Sequence, residues 1–418
     1  MGINPVSLVL ITDPGPDPDD TKAIVVAASL HRLGTIRFAA LVANGGHQAF
    51  QRAQLARCVL AHLGVSDVPV GVGSAGKPYV AQAHEYALKG FGAISSADVT
   101  DGHALLLRTL RAAPPRSLTV CCISSLRDFA DVLAAEPALV LAKLAGLVVQ
   151  GGLELDPGTG GWVPDSSVNN TFDVEAAAAV YAFAFGHALP LTVVSRFAVP
   201  LLPMQLARSF AERTANPLLR YLSSAQFLGL EGLWRKLCEG TLPSRCTKQW
   251  FFETFCGVDA EHFAHARLDQ LGAEDDVRSH LDGFVKPCAR WRRRECVRAS
   301  AARTPRRNPL APLRAPRDMP ARRYDVVALM TALPQTRAFF GAGRPVGTVG
   351  VAPLRAGCVH RLLLAPEDTI DASHVLRLLR DAYHETIAVA RELESLGSVG
   401  PRSSRARQRS RAARATAM

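Results

Sequence analysis

Short runs of apolar and β-branched residues recur along the first half of the chain. Each is followed by a stretch whose apolar positions return every three or four residues. The runs predict strands at Ser7–Thr12, Arg37–Ala43, Val68–Val72, Leu118–Ser124, Leu144–Gln150 and Leu191–Ser195. Helical spacing falls between them, at Thr21–His31, Ala49–His62, Gly102–Ala112 and Val174–Phe185. The strands are apolar throughout instead of alternating, as expected of a sheet covered on both faces. The fold class that follows is α/β and Rossmann-like, a mostly parallel sheet with helices on both faces. Ligands in such sheets bind beyond the carboxyl ends of the strands, so the residues after each strand are the place to look for chemistry.

From about Met204 to Gly283 the pattern turns helical and aromatic, with Phe227, Trp234, Trp250, Phe251 and Phe252. A stretch rich in Arg, Pro and Ala follows, and regular structure resumes at Tyr324-Asp325-Val326-Val327. A last amphipathic helix is predicted over about 372–396, with Val375, Leu378, Leu379 and Ala382 at helical spacing. The expected organisation is one domain over 5–398, interrupted by an Arg-rich disordered insertion at 288–323 and followed by a basic tail at 399–418. Joining Lys286-Pro287 directly to Tyr324-Asp325 would restore a compact passage, so translated non-coding sequence is the alternative reading of 288–323.

Charge sharpens this division. The formal net charge is +11, yet residues 288–323 hold 12 Arg and only two acids, and residues 401–418 hold 6 Arg and none. Everything else is therefore mildly acidic, and the basicity belongs to two low-complexity segments without aromatic interleaving. No specific nucleic-acid partner is expected. No apolar run approaches the roughly 18 residues of a membrane span, and the first residues lack a signal-peptide pattern, so the expected location is cytoplasmic. Nine cysteines show no paired zinc spacing, which favours reduced thiols.

The first strand runs into Asp13-Pro14-Gly15-Pro16-Asp17-Pro18-Asp19-Asp20. One of these carboxylates can cap the next helix, worth about 1 kcal/mol. The rest repel, at roughly 4 kcal/mol per pair of charges 4 Å apart in an effective dielectric near 20. A hard divalent cation resolves the conflict. With no His or Cys nearby, oxygen ligation favours Ca²⁺ or Mg²⁺ over zinc. A solvated, helix-capping turn is the competing explanation.

Asp13-Pro14-Gly15, followed by Asp19-Asp20 and Ala23-Ile24, resembles the signature of the inosine-uridine preferring nucleoside hydrolases, Asp-x-Asp-Pro-Gly-x-Asp-Asp. The family's first Asp falls on Ile11, and two extra residues leave Asp17 without a counterpart. The resemblance implies Ca²⁺ as cofactor, bound by Asp13, Asp20, the Ile123 carbonyl and Asp325. It also implies that Asp13 activates a calcium-bound water and that Asp19 holds a ribose hydroxyl. Val42-Ala43-Asn44-Gly45-Gly46 corresponds to the family's ribose-binding asparagine, although an ordinary Asn-Gly turn would read the same. Gln150-Gly151-Gly152 and Asn169-Asn170-Thr171-Phe172-Asp173 resemble further family segments, with Asn169 on the sugar and Asp173 a helix cap. Ser167 stands where a glutamate often contacts the sugar. Arg127 and Asp128 replace the usual pair after the fourth strand and are read as caps of the helix there. Tyr324 replaces a histidine that serves some members as leaving-group acid, and His47 and His103 are further candidates for that role. Trp162 is a candidate for stacking on the base, with core or surface packing as the alternative. Asp325 has an N-cap as its bland reading.

The expected reaction is hydrolysis of the N-glycosidic bond of a ribonucleoside to ribose and free base, as in purine or pyrimidine salvage. No Ser, Cys or His nucleophile stands out, so water attacks directly. Two alternatives remain: a metal- and ribose-binding homologue without turnover, and a metal-dependent phosphohydrolase using Asp13. Partners are limited to the small-molecule ribonucleoside, with no membrane, and the resemblance implies a homo-oligomer.

Overall fold

The computed structural model describes residues 5–15, 18–82, 84–198, 202–203, 216–242, 244–256, 258, 260–275, 320–321, 324–333, 360–364 and 372–395. Asp17, nearly all of the Arg-rich segment and the basic tail lie outside these residues.

Contacts divide the chain into two compact units. The first comprises Met1–Pro200, Thr214–Gln226 and Arg323–Met418. Its elements begin β1 (Val6–Thr12), α1 (Asp19–Arg32), β2 (Ile36–Ala43), α2 (Ala49–His62), β3 (Val70–Val72), β4 (Thr100–Asp101), α3 (Gly102–Ala112) and β5 (Leu118–Cys122). They continue with α4 (Arg127–Ala135), α5 (Pro137–Lys143), β6 (Leu144–Gln150), β7 (Leu153–Leu155), β8 (Trp162–Pro164), α6 (Val168–Phe172), α7 (Val174–Gly186) and β9 (Leu191–Val194). The α/β sheet expected from the sequence is present. Eight strands pair in the order Arg361–Leu363, β9, β6, β5, β1, β2, β3, β4, and every pairing is parallel.

The apolar strand runs are explained by this order. Val9 and Ile11 face one core layer with Val42, Val120, Phe129 and Val180, while Leu8 and Leu10 are equally buried on the other side of the pleat. Two differences from expectation have local causes. Strand β3 keeps only three residues, and the hairpin β7–β8 pairs antiparallel apart from the main sheet; its short runs carry no strong period.

Topology positions the site. Sequence order leaves β1 in both directions, towards β2 on one side and β5 on the other, so the strand order reverses there. Register makes the ends flush: Thr12 pairs Ala43, Ile11 pairs Cys122, and Cys122 pairs Val149. Asp13, Asn44, Ile123 and Gln150 therefore emerge at the same edge, at the crevice where such sheets bind ligands.

The second unit comprises Leu201–Arg213 and Phe227–Arg322. Its described core is aromatic, with Trp234 against Phe251 and Phe252 at ring separations of 5.1 and 5.5 Å. Trp234 donates its indole N–H to the Gly272 carbonyl at 3.1 Å, so the large ring is buried without an unmet donor. Strands Leu202–Pro203 and Pro320–Ala321 form an antiparallel pair. Among the described residues, no helix is long and apolar enough to cross a membrane.

Candidate functional site

The loop after β1 is folded around Asp20. Its Oδ1 accepts from the Thr12 hydroxyl at 2.5 Å and from the Asp13 amide at 3.0 Å. Pro18 occupies the N-cap of α1 and no side chain caps the helix, so Asp19 and Asp20 sit in its first turn, where the dipole favours negative charge. The loop's carboxylates are thus not consumed in capping. Burial raises the Asp13 pKa, the Asp19 charge adds to this, and Arg52 opposes it. Burial also raises that of Asp20, reinforced by the charge of Asp13.

Asn44 follows β2 and is fully buried. Its Nδ2 donates to the Asp128 carboxylate at 2.7 Å and to the Ser125 carbonyl at 3.2 Å, while its Oδ1 has no partner. An orphaned buried acceptor is costly unless a ligand or water meets it. Asp128 is a correction to the sequence reading. It does not cap α4, which has no side-chain cap; it turns inward and also accepts from the Ser74 amide at 2.7 Å and hydroxyl at 3.0 Å. Arg127 is likewise no cap, and pairs with Asp173 at 2.6 Å. Asp173 caps α7 as expected, accepting from the Ala176 amide at 3.0 Å.

The two remaining strand ends meet at Asn169. Its Nδ2 donates to the Ile123 carbonyl at 2.9 Å and to the Gln150 carbonyl at 3.1 Å. The Ile123 oxygen thus keeps one further lone pair. Asp13, Asn44 and Ile123 follow the ends of β1, β2 and β5, while Asp20 in the first turn of α1 and Asn169 on α6 reach the same edge through bonds to the Asp13 amide and to the Ile123 and Gln150 carbonyls. Trp162 lies on β8, half-buried and packed against the main core layer. Ser167 is buried with its hydroxyl unpartnered. His103 is exposed on α3, and His47 adopts a left-handed backbone with φ of 53°. Tyr324 and Asp325 open the helix Tyr324–Thr331; their side chains lie outside the described structure.

Three functional neighbours were not legible as such in the sequence: Arg52, Asp128 and Ser74. The signal for the first two is a charged residue among apolar ones, beside Ala49, Ala53 and Leu55 on α2 and beside Phe129, Val132 and Leu133 on α4. Arg52 is buried on α2, and its Nη1 donates to Asp13 Oδ2 at 3.2 Å and to the Asn44 carbonyl at 2.8 Å. Gly45 leaves room for it, with φ of +84° and a notional Cβ only 2.8 Å from that nitrogen. Gly45→Ala is expected to cost about 1–2 kcal/mol from left-handed backbone alone. Urea denaturation reads this directly, and an unchanged midpoint would show that the loop relaxes freely.

The donor set can be tested against a cation. Among the described residues no three His, Cys, Asp or Glu side chains converge as a metal-holding group. The donors at hand are the carboxylates of Asp13 and Asp20 and the Ile123 carbonyl, an oxygen set that suits a hard divalent ion. Two carboxylates held together in one loop are what such an ion relieves.

A family model described as inosine-uridine preferring nucleoside hydrolase matches residues 8–241. No curated protein sequence matches the chain. Solved structures with a similar fold include the effector protein XOO4466, at 23% identity and TM-score 0.65, covering 93% of this chain and 95% of that one. The type III effector XopQ complexed with adenosine diphosphate ribose is similar at 24% identity and TM-score 0.64, with the same coverages. A purine-preferring ribonucleoside hydrolase from Gardnerella vaginalis aligns at 13% identity and TM-score 0.50, covering 92% and 99%.

Proposed function

Because the chain belongs to the inosine-uridine preferring nucleoside hydrolase family, we propose that it hydrolyses the N-glycosidic bond of a ribonucleoside, with Ca²⁺ as cofactor. The observation that carries this reading is that Asp13 and Asn44 follow the flush ends of β1 and β2, with Asp20 of α1 bonded to the Asp13 amide and Asn169 of α6 bonded to the carbonyls that end β5 and β6. Asp13, Asp20, the Ile123 carbonyl and Asp325 are the proposed holders of the ion. When bound, the ion supplies positive charge that orients the attacking water and lowers its pKa.

The chain's own residues supply the rest. Asp13 takes the proton of the attacking water, which requires its carboxylate ionised and fixed in direction. Arg52 provides the fixing bond. Asp19 and Asn169 take the ribose hydroxyls, and the unpartnered Oδ1 of Asn44 accepts from one of them. The carboxylates also favour the positive charge that develops on the sugar as the bond to the base breaks. Vicinal hydroxyls make ribose a better substrate than deoxyribose. Tyr324 is the proposed proton donor to the leaving base. The location proposed is the cytoplasm, the assembly a homo-oligomer, and residues 5–398 one functional domain.

The test is a panel of inosine, uridine, adenosine diphosphate ribose and p-nitrophenyl phosphate, each with calcium and with chelator. The account expects free ribose from at least one nucleoside and a loss of at least about 100-fold on chelation. Ribonucleoside binding without ribose release would favour a binding protein, and release of phosphate would favour a phosphohydrolase. Trp162 is proposed to stack on the base. Trp162→Ala then lowers kcat/KM for purine nucleosides by about tenfold and spares p-nitrophenyl riboside. Equal losses on both would return Trp162 to a packing role.

A further inference from the structure

Arg52 is 4% exposed, yet its guanidinium reaches the loop that carries the proposed chemistry. One nitrogen, Nη1, binds both Asp13 Oδ2 and the Asn44 carbonyl, tying the loop after β1 to the loop after β2. Three glycines make the space. A Cβ at Gly45 would stand 2.8 Å from Nη1, and at Gly46 and Gly15 it would stand 3.0 and 3.1 Å from Nη2. Gly45 and Gly46 both have positive φ, so the chain bends around the guanidinium in a conformation that larger residues resist. Nε remains buried without a partner. Glu85 is fully buried with Oε2 unpartnered, 3.5 Å from the notional Cβ of Gly15. Its other oxygen is taken by the Tyr79 hydroxyl and the Gln82 amide.

A buried guanidinium with an unmet donor is not there for its hydrogen bonding alone; the surrounding negative charge is what retains it. The rigid, planar guanidinium, held in place by the Asn44 carbonyl, also presents Nη1 to Asp13 in a fixed direction, which a freely rotating ammonium does less well. We infer that Arg52 is a positioning residue for the proposed hydrolysis, a built-in cation that aims the Asp13 carboxylate and competes for it with a divalent ion. The inference rests on the hydrolase reading. Its consequence is that the aspartate loop is already partly neutralised, and calcium binds more weakly than the carboxylates alone would allow.

The test uses the full chain as wild type, Arg52→Met, Arg52→Gln and Arg52→Lys. Calcium affinity is measured by calorimetry, and kcat and KM on the best nucleoside. Both neutral variants are expected to bind calcium at least about tenfold more tightly, because a repelling charge is gone. Their kcat is expected to fall at least about tenfold with KM within about threefold, since Asp13 is no longer aimed. Arg52→Lys keeps the charge and is expected to return the calcium affinity to within about threefold of wild type. Whichever neutral variant folds suffices, and Arg52→Lys against wild type stands if neither does, with a more than tenfold change in calcium affinity then counting against the inference. Neutral variants that bind calcium no more tightly than wild type would overturn it, and the hydrolase reading would survive if wild type still releases ribose. A wild type that neither binds calcium nor hydrolyses any nucleoside removes both.

Discussion

Asp13→Asn is expected to lower kcat for nucleoside hydrolysis by at least about 10³-fold, with the fold retained. A positioned base contributes roughly 10² to 10⁴ in rate, and Asp13 is in addition a proposed holder of the ion. The substitution preserves shape, and an amide oxygen can still accept the bond that Arg52 Nη1 now makes at 3.2 Å. What it removes is the charge. The loss therefore belongs in kcat, and a far-ultraviolet circular dichroism spectrum matching wild type shows that the fold is retained. Residual activity within tenfold of wild type would mean that another group takes the proton.

The second large effect is expected at Asp128→Ala. Its carboxylate accepts from Asn44 Nδ2 at 2.7 Å, from the Ser74 amide at 2.7 Å and from the Ser74 hydroxyl at 3.0 Å. Deleting it strands buried donors at two loops, and each unmet group costs about 1–3 kcal/mol. A stability loss of about 3 kcal/mol follows, allowing for partial rearrangement. Function suffers through Asn44. With both amide hydrogens engaged, Asn44 keeps its Oδ1 fixed and free for ligand; once released, it can turn over, and KM should rise about tenfold. A urea titration and a KM measurement on the same preparation check both parts. A loss below about 1 kcal/mol would show that water replaces the carboxylate.

Much of this architecture was legible because burial on both sheet faces writes strands as plain apolar runs. Val6–Thr12, Ile36–Ala43 and Leu144–Gln150 are such runs, and their ends were found to within a residue. The aspartate loop was legible for the opposite reason: crowded carboxylates have few structural uses. Asn44 stands out because it follows a strand end with two glycines after it, whereas Asn169 is picked out by the family resemblance of its segment alone. The partners of these groups were harder to read. Arg52 lies on α2 and Asp128 on α4, each distant in sequence from the strand-end residue it supports, and a helical period alone says only that a charged side chain interrupts an apolar face. Local capping is the commonest use of an Asp at a helix start, so the sequence alone points Asp128 to the nearest helix end. A long-range acceptor role depends on strand order, which periodicity does not encode. The hairpin β7–β8 was missed because three-residue strands carry too little alternation.

The proposed ribose site at the strand ends is tested most directly by binding of a cationic, ribose-configured iminosugar in the presence of calcium. Such a molecule carries the positive charge that hydrolysis creates on the sugar. Calorimetry on the full chain should give binding at least about 100-fold tighter than for ribose, and weakened at least tenfold in the 2-deoxy form. Equal affinity for the two iminosugars, or no binding of either, would contradict the account.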